Sequence, residues 1–311
     1  MKKYGLPLLL ICLLLSGCRT EETVSAPMPQ AETAMRTDSS YTLLVKTPEG
    51  IAELNLTAYL QGVLLAEMPA DFPAEALKAQ AIAARTFALR KADAAKHPDA
   101  HVCSESSCCQ GWLPPEHCDE VTQQRLSAAV AATDGLVLTY EGRLIDATFF
   151  SCSGGRTEQA AAVWGTDIPY LQAVDSPGEE TAPVYEELQT FPAAEFQSRL
   201  LQSYPLAVLS SSPEGWITQV HYTPGGGIDR LSIGGIELRG TELRRLFGLR
   251  STRLQISVSE DAVSFRSYGY GHRVGLSQYG ARAMAEDGKS CEEILLYYYR
   301  GTELRKLQSL T

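Results

Sequence analysis

Apolar and polar positions change rhythm several times along the chain. Residues 4–15 are apolar almost without interruption, behind Lys2 and Lys3 and ahead of Ser16-Gly17. A basic start, a short apolar core and small residues at its end predict a signal peptide over 1–17. The run is too short to sit comfortably as a permanent membrane span. Residues 18–40 carry Thr, Ser, Ala, Pro and Glu with no apolar period, which predicts a tether. Weak alternation from Tyr41, closed by Pro48-Glu49-Gly50, predicts a strand and a turn. Residues 56–66 read as a first helix with Thr57 as N-cap, and Met68-Pro69 should end it. Residues 73–96 read as a second helix, Ala-rich, with Pro73 in its first turn.

Residues 97–119 are irregular, and 121–133 read as a third helix ending near Gly135. The pattern then turns to strands at 136–140 and 144–150. Residues 176–215, broken by Pro177, Pro183, Pro192, Pro205 and Pro213, read as a small inserted subdomain. Strand-like stretches follow at 217–222 and 254–258, separated by a short helix near 240–249. A last helical region starts after Gly271 and runs to about Asp287, and 291–299 closes the chain. Helices come early and strands later. This predicts an α+β domain over 41–311, its helical N-terminal half packed on a mixed, mainly antiparallel sheet.

Charge and cysteines narrow the function. The net charge of −10 and the absence of a Lys/Arg-rich run argue against a nucleic-acid grip. Leu15-Ser16-Gly17-Cys18 looks like a bacterial lipobox, in which Cys18 is acylated and becomes the mature N-terminus. The protein would then be held by lipid on the outer face of the cytoplasmic membrane. With Cys12 removed and Cys18 lipidated, Cys103, Cys108, Cys109, Cys118, Cys152 and Cys291 remain.

Three groups of residues carry chemistry. Glu67 sits at the end of an apolar helix, where partial desolvation would raise its pKa toward that of a general acid; a surface Glu near a helix end has the same spacing. Lys78 and Arg85 are seven residues apart and share a helical face, either lining a common cleft or forming a solvated stripe. The segment from His97 through His101, Cys103, Cys108 and Cys109 concentrates zinc ligands, although an extracytoplasmic compartment also permits disulfides. The run Gly269-Tyr-Gly271-His272-Arg-Val-Gly275-Leu-Ser-Gln278-Tyr279 offers hydrogen bonds and a stacking plane on a glycine-rich backbone. It lacks the Gly-Lys-Ser/Thr of a phosphate loop. Ser153, in the polar turn after Phe150, lacks the setting of a nucleophile elbow.

Taken together, these segments resemble the stage II sporulation protein D family, which includes amidase-enhancer proteins. The matching blocks are Tyr59-Leu-Gln-Gly-Val-Leu-Leu-Ala-Glu67-Met-Pro with Glu75 to Leu89, then Ser153-Gly-Gly-Arg-Thr157 with Val163-Trp-Gly165, then Gly248-Leu-Arg-Ser-Thr252, and last Gly271-His-Arg-Val-Gly-Leu-Ser-Gln-Tyr-Gly-Ala281. Arg273 stands where the family pattern has glycine. The resemblance implies a lytic transglycosylase that cleaves MurNAc–GlcNAc bonds in peptidoglycan strands stripped of stem peptides. Glu67 falls on the family's catalytic acid. The family's His-x5-Cys-x5-Cys zinc spacing selects His97, Cys103 and Cys109, with zinc stapling the loop beside Glu67. Lys78, Arg85, Ser153, His272, Gln278 and Tyr279 are the expected substrate contacts, Lys78 and Arg85 for the lactyl carboxylate. A wall amidase that first strips the peptides is the expected partner. Two rival readings remain: a non-catalytic wall-binding enhancer of such an amidase, and a zinc hydrolase acting on stem peptides.

Overall fold

The computed structural model describes Met1 and residues 37–307. The leader, Cys18 and nearly all of the tether lie outside the described residues. Among the described residues no helix is long and apolar enough to cross a membrane. From residue 37 onward they form one compact unit. Its architecture is α+β, with eight α-helices and several small, mostly antiparallel sheets instead of one large sheet.

The N-terminal half is built around one helix. Strands Thr42–Thr47 and Gly50–Asn55 form a hairpin, and the short strand Val102–Cys103 adds in parallel. Helix α1, Leu56–Glu67, follows directly, capped by the Asn55 side chain, which accepts from the Ala58 N–H at 2.8 Å. The cap is therefore Asn55 and not Thr57. Asn55 has the extended backbone a cap needs, and Thr57 already lies in the helix. Helix α2, Ala74–Asp93, is buried on every side from Ala79 to Leu89. Its alanines make this feasible: small side chains let α1, α3 (Glu120–Ala132) and the strand Leu136–Tyr140 all pack against it, together with two helices from the end of the chain.

Arg85 lies in the middle of that buried helix, fully shielded from solvent. Its Nε and Nη2 donate to the two carboxylate oxygens of Asp38 at 2.7 and 2.5 Å, and Nη1 donates to the Leu136 carbonyl at 3.1 Å. Asp38 also accepts from the Gly135 N–H, and its own N–H donates to Asp134. The domain thus reaches back to residue 38, inside the stretch read as tether. A buried carboxylate with a two-pronged partner fixes that entry point.

Between α3 and the second half come one small helix and several short strands. Strand Leu136–Tyr140 is the centre of a three-stranded antiparallel sheet, flanked by Arg143–Leu144 and by Glu303–Lys306 from the end of the chain. The predicted strand over 144–150 is split. Pairing stops after Leu144 and resumes only at Phe149–Phe150. Helix α4 is Ala160–Trp164.

A second core forms from residues 191–265. Strand Glu186–Pro192 pairs with Ala262–Tyr268, which also pairs with Leu254–Val258. Strands Ile217–Tyr222, Ile228–Ile233 and Ile236–Arg239 make another antiparallel sheet. Helices α5 (Ala193–Ser203) and α6 (Gly240–Phe247) contribute Phe196, Leu200, Leu243 and Phe247 to this core. Phe196 stacks on Phe247 with ring centroids 4.6 Å apart. The second core is therefore wider than the 176–215 stretch. A strand at 186–192 finds its partner some seventy residues later in the sequence, which a local reading cannot see. Helices α7 (Gln278–Glu286) and α8 (Cys291–Tyr298) return to α2.

Replacing Arg85 alone with Leu strands the Asp38 carboxylate in the core. The expected loss is about 3–5 kcal/mol of folding stability in denaturant unfolding. Changing Asp38 and Arg85 together to Leu should recover most of it.

Candidate active site

Glu67 closes α1 one turn beyond Val63, on the row of side chains that packs inward. Met68 is extended, with φ −133° and ψ 133°, and Pro69 follows, so the helix cannot continue. The Glu67 side chain is half-buried, and its Oε1 accepts from the Gly111 N–H at 2.5 Å. Burial lifts its pKa above the ordinary carboxylate value, against the opposing pull of the Gly111 N–H and the Gln278 amide.

The loop that supplies Gly111 is held at both ends. On one side it lies across α1 at Gly62, whose carbonyl accepts from the Leu113 N–H at 3.2 Å. A Cβ at Gly62 would sit 2.2 Å from Trp112 Nε1 and 2.4 Å from the Leu113 carbonyl oxygen, so only glycine admits this approach. On the other side stand His97, Cys103, Cys108 and Cys109, whose ligand atoms all lie within 4.8 Å of one another. His97 Nε2 is 3.3 Å from Cys109 Sγ and 3.8 Å from Cys108 Sγ. A tetrahedral zinc with bonds of about 2.0–2.3 Å separates its ligands by roughly 3.5–3.8 Å, so the cluster fits a metal. Cys108 joins the three ligands expected from the sequence. His101 does not, because its Nδ1 accepts from the Leu44 N–H at 2.9 Å. All six described cysteines are free.

Opposite Glu67 lies the glycine-rich run. Strand Leu276–Ser277 pairs in parallel with Phe149–Phe150, and bridges join Cys152 to Tyr270 and Glu158 to Val274. Between the two walls is an open groove of about 940 Å³. Glu67, Lys91, Lys96, Cys108, Asp146, Phe150, Trp164, Arg244, Tyr270, His272 and Gln278 line it. Trp164 and Tyr270 are 45% and 46% exposed, which leaves aromatic faces open to a ligand. The His272 ring lies 5.3 Å from that of Trp164 and 5.6 Å from that of Phe150. Its Nδ1 accepts from the Val274 N–H at 3.1 Å, which assigns the proton to Nε2. Burial, with Arg244 nearby, pushes the His272 pKa down to about 4, so the ring is neutral at pH 7.

The turn beneath His272 is fixed by two buried groups that the sequence did not single out for this task. Arg273 adopts a left-handed φ of 66°. That conformation disfavours a side chain by roughly 1–2 kcal/mol. Its guanidinium offsets this by donating to the carbonyls of Ser153, Arg156 and Gly225 at 3.0, 2.8 and 2.6 Å. Glu179, also buried, accepts from the N–H groups of Ser153, Gly154 and Gly155 and from the hydroxyls of Ser153, Ser176 and Ser277. Gly154 and Gly155, at φ 69° and 101°, aim those N–H groups inward.

Of the residues expected to meet substrate, His272 and Gln278 share the groove with Glu67. The others do not. Arg85 is enclosed in the core with Asp38. Lys78 pairs with Glu75 at 2.7 Å near the start of α8, where Glu75 also accepts from the Cys291 N–H. Ser153 is buried with its hydroxyl on Glu179. The Tyr279 ring packs edge-on against Phe72 at 5.2 Å. Lys78 and Arg85 do share a face of α2, but seven residues separate them by about 10.5 Å along the axis. Only Lys78 lies at the helix's accessible end. Gly111 and Glu179 were missed because each acts through a partner distant in sequence, and Arg244 because only the tertiary fold brings it to the groove.

Residues 46–140 match the family model described as "Stage II sporulation protein". The chain is 33% identical to Stage II sporulation protein D of Bacillus subtilis (strain 168), over 98% of this chain and 96% of that protein. It is 35% identical to Stage II sporulation protein D of Bacillus amyloliquefaciens, over 94% and 86%. It is also similar to the Amidase enhancer of Bacillus subtilis (strain 168), at 29% identity, covering 79% of this chain and 40% of that protein. With the match spanning nearly the whole of both chains, this protein belongs to the stage II sporulation protein D family.

Proposed function

We propose that this chain is a peptidoglycan lytic transglycosylase acting on strands stripped of stem peptides. One observation carries the reading: a half-buried carboxyl with a raised pKa, fixed by a backbone N–H, on the wall of a groove flanked by exposed aromatic faces. In the first step the protonated Glu67 gives its proton to the glycosidic oxygen as the C1–O bond breaks. In the second, the C6 hydroxyl of the same muramoyl sugar bonds to C1, and its proton returns to Glu67. The product is a 1,6-anhydro end, water is not consumed, and Glu67 ends as it began. Trp164 and Tyr270 offer apolar faces to sugar rings. Asp146, the other carboxylate on the groove wall, is occupied by Lys91 at 2.7 Å.

Zinc held by His97, Cys103, Cys108 and Cys109 would supply a structural cross-link and no open coordination position. These residues then keep Gly111, two positions past Cys109, in place for Glu67. Acylation of Cys18 would hold the enzyme at the outer face of the membrane, with an amidase as the supplier of stripped strands. The likeness to a protein named Amidase enhancer favours a second reading, in which the groove binds wall glycan without cleaving it.

Three outcomes are expected. Stripped glycan incubated with the enzyme yields 1,6-anhydro products by mass spectrometry, and Glu67→Gln lowers their formation at least about 100-fold. Binding with no cleavage by the wild type supports the enhancer reading instead, and a reducing-end product indicates hydrolysis, which calls for a second carboxylate. Second, cleavage that needs protonated Glu67 falls as pH rises through its raised pKa. The stability contributed by that proton is present below the ordinary carboxyl pKa and is lost over the same rise. Glu67→Gln removes this slope from the Tm–pH curve. Third, elemental analysis finds one zinc per chain. Chelation or Cys108→Ser lowers zinc content and Tm together.

A further inference from the structure

Three cations line the groove, and two of them are engaged. Lys91 is paired with Asp146 at 2.7 Å. Lys96 donates to the Cys108 carbonyl at 2.8 Å, beside the thiol cluster. Arg244 differs. It is half-buried, its Nε donates to the Leu249 carbonyl at 3.2 Å, and among the described residues it has no acidic partner. Desolvation lowers its pKa, as expected of a charge held in the wall without a counter-ion.

The backbone holds Arg244 where it is. Helix α6 is anchored in the second core by Leu243 and Phe247. Its start is tied to α4 by Arg239, whose Nη2 donates to the Ala162 carbonyl at 2.9 Å. Trp164 ends α4. The cation and the exposed aromatic face are thus set on two linked helices. A fixed guanidinium that lacks an acidic partner in a partly desolvated wall is matched by a carboxylate, which it can take in a two-pronged bond.

We propose that Arg244 receives the free lactyl carboxylate of a muramoyl residue in the groove, and so makes the enzyme selective for strands whose stem peptides have been removed. This rests on the glycan-cleaving reading above. A stem peptide converts that carboxylate into a neutral amide and adds bulk. The intact strand therefore offers Arg244 no anion at the lactyl position and must still desolvate it.

The test measures binding to the full chain in detergent, in a Glu67→Gln background that prevents turnover. Calorimetry compares stripped GlcNAc–MurNAc oligomers with the same oligomers carrying the lactyl group as a methylamide. The acid should bind about 10–100-fold more tightly than the methylamide. Arg244→Gln should bring the acid to the level of the methylamide and leave the methylamide within about twofold, which shows an intact groove; Arg244→Lys should retain part of the preference. Equal binding of acid and methylamide, or a preference that survives Arg244→Gln, overturns the assignment of Arg244 while the glycan reading stands. Failure to bind either oligomer overturns the glycan reading, and this inference with it.

Discussion

The groove depends on a buried carboxylate that takes no part in its proposed chemistry. Glu179 gathers donors from residues 152–155, from Ser176 and from Ser277 into one solvent-free site. An anion there is tolerable only because its lone pairs are satisfied. The same bonds decide where the backbone goes. They fold the turn after Phe150, and they hold the Ser277 hydroxyl, which caps α7 by accepting from the Gly280 N–H. Gln278 is the next residue, so the wall facing Glu67 is placed by a charge well outside the groove lining. The Tyr298 hydroxyl, 2.6 Å from Ser176 Oγ, extends the network into α8.

The other wall is built on a different principle. Glu67 is placed by close packing at Gly62 and by a loop that the thiol and imidazole cluster closes. Each wall is thus rigid in its own way. The wall opposite Glu67 is stitched together by the short parallel pair of Leu276–Ser277 with Phe149–Phe150. Two strand residues on each side suffice because the Tyr299 hydroxyl donates to the Thr148 carbonyl, and the Thr148 hydroxyl donates to that of Val274.

Much of the helical half was legible in the sequence, because helix starts, stops and apolar periods are local. Glu67, the His/Cys segment and the glycine-rich run were all visible as clusters. What periodicity could not supply was the surroundings of each face. In α2 both Lys78 and Arg85 obey the same helical spacing, yet one meets Glu75 at the helix's open end and the other meets Asp38 in the core. Around Arg85 the helix is enclosed on all sides, and it reaches the groove only near its end, through Phe87 and Lys91. Arg244 escaped notice for the converse reason. Its helix looks like a short amphipathic segment, and only the tertiary fold brings its basic side chain round to Trp164 and His272. The split of the predicted 144–150 strand has a similar origin: Asp146 leaves the ladder to meet Lys91, and its N–H donates to the Tyr170 hydroxyl.

Arg273 has a consequence for how a ligand is received. A glycine in its place would leave the turn next to His272 free to sample both signs of φ. The arginine removes that freedom when the chain folds, since its guanidinium is already bound to three carbonyls, two from the 153–156 turn and one from Gly225. The conformational entropy of the turn is lost before any ligand arrives. A ligand seated against His272 then orders little that was mobile, and more of its contact energy remains as affinity.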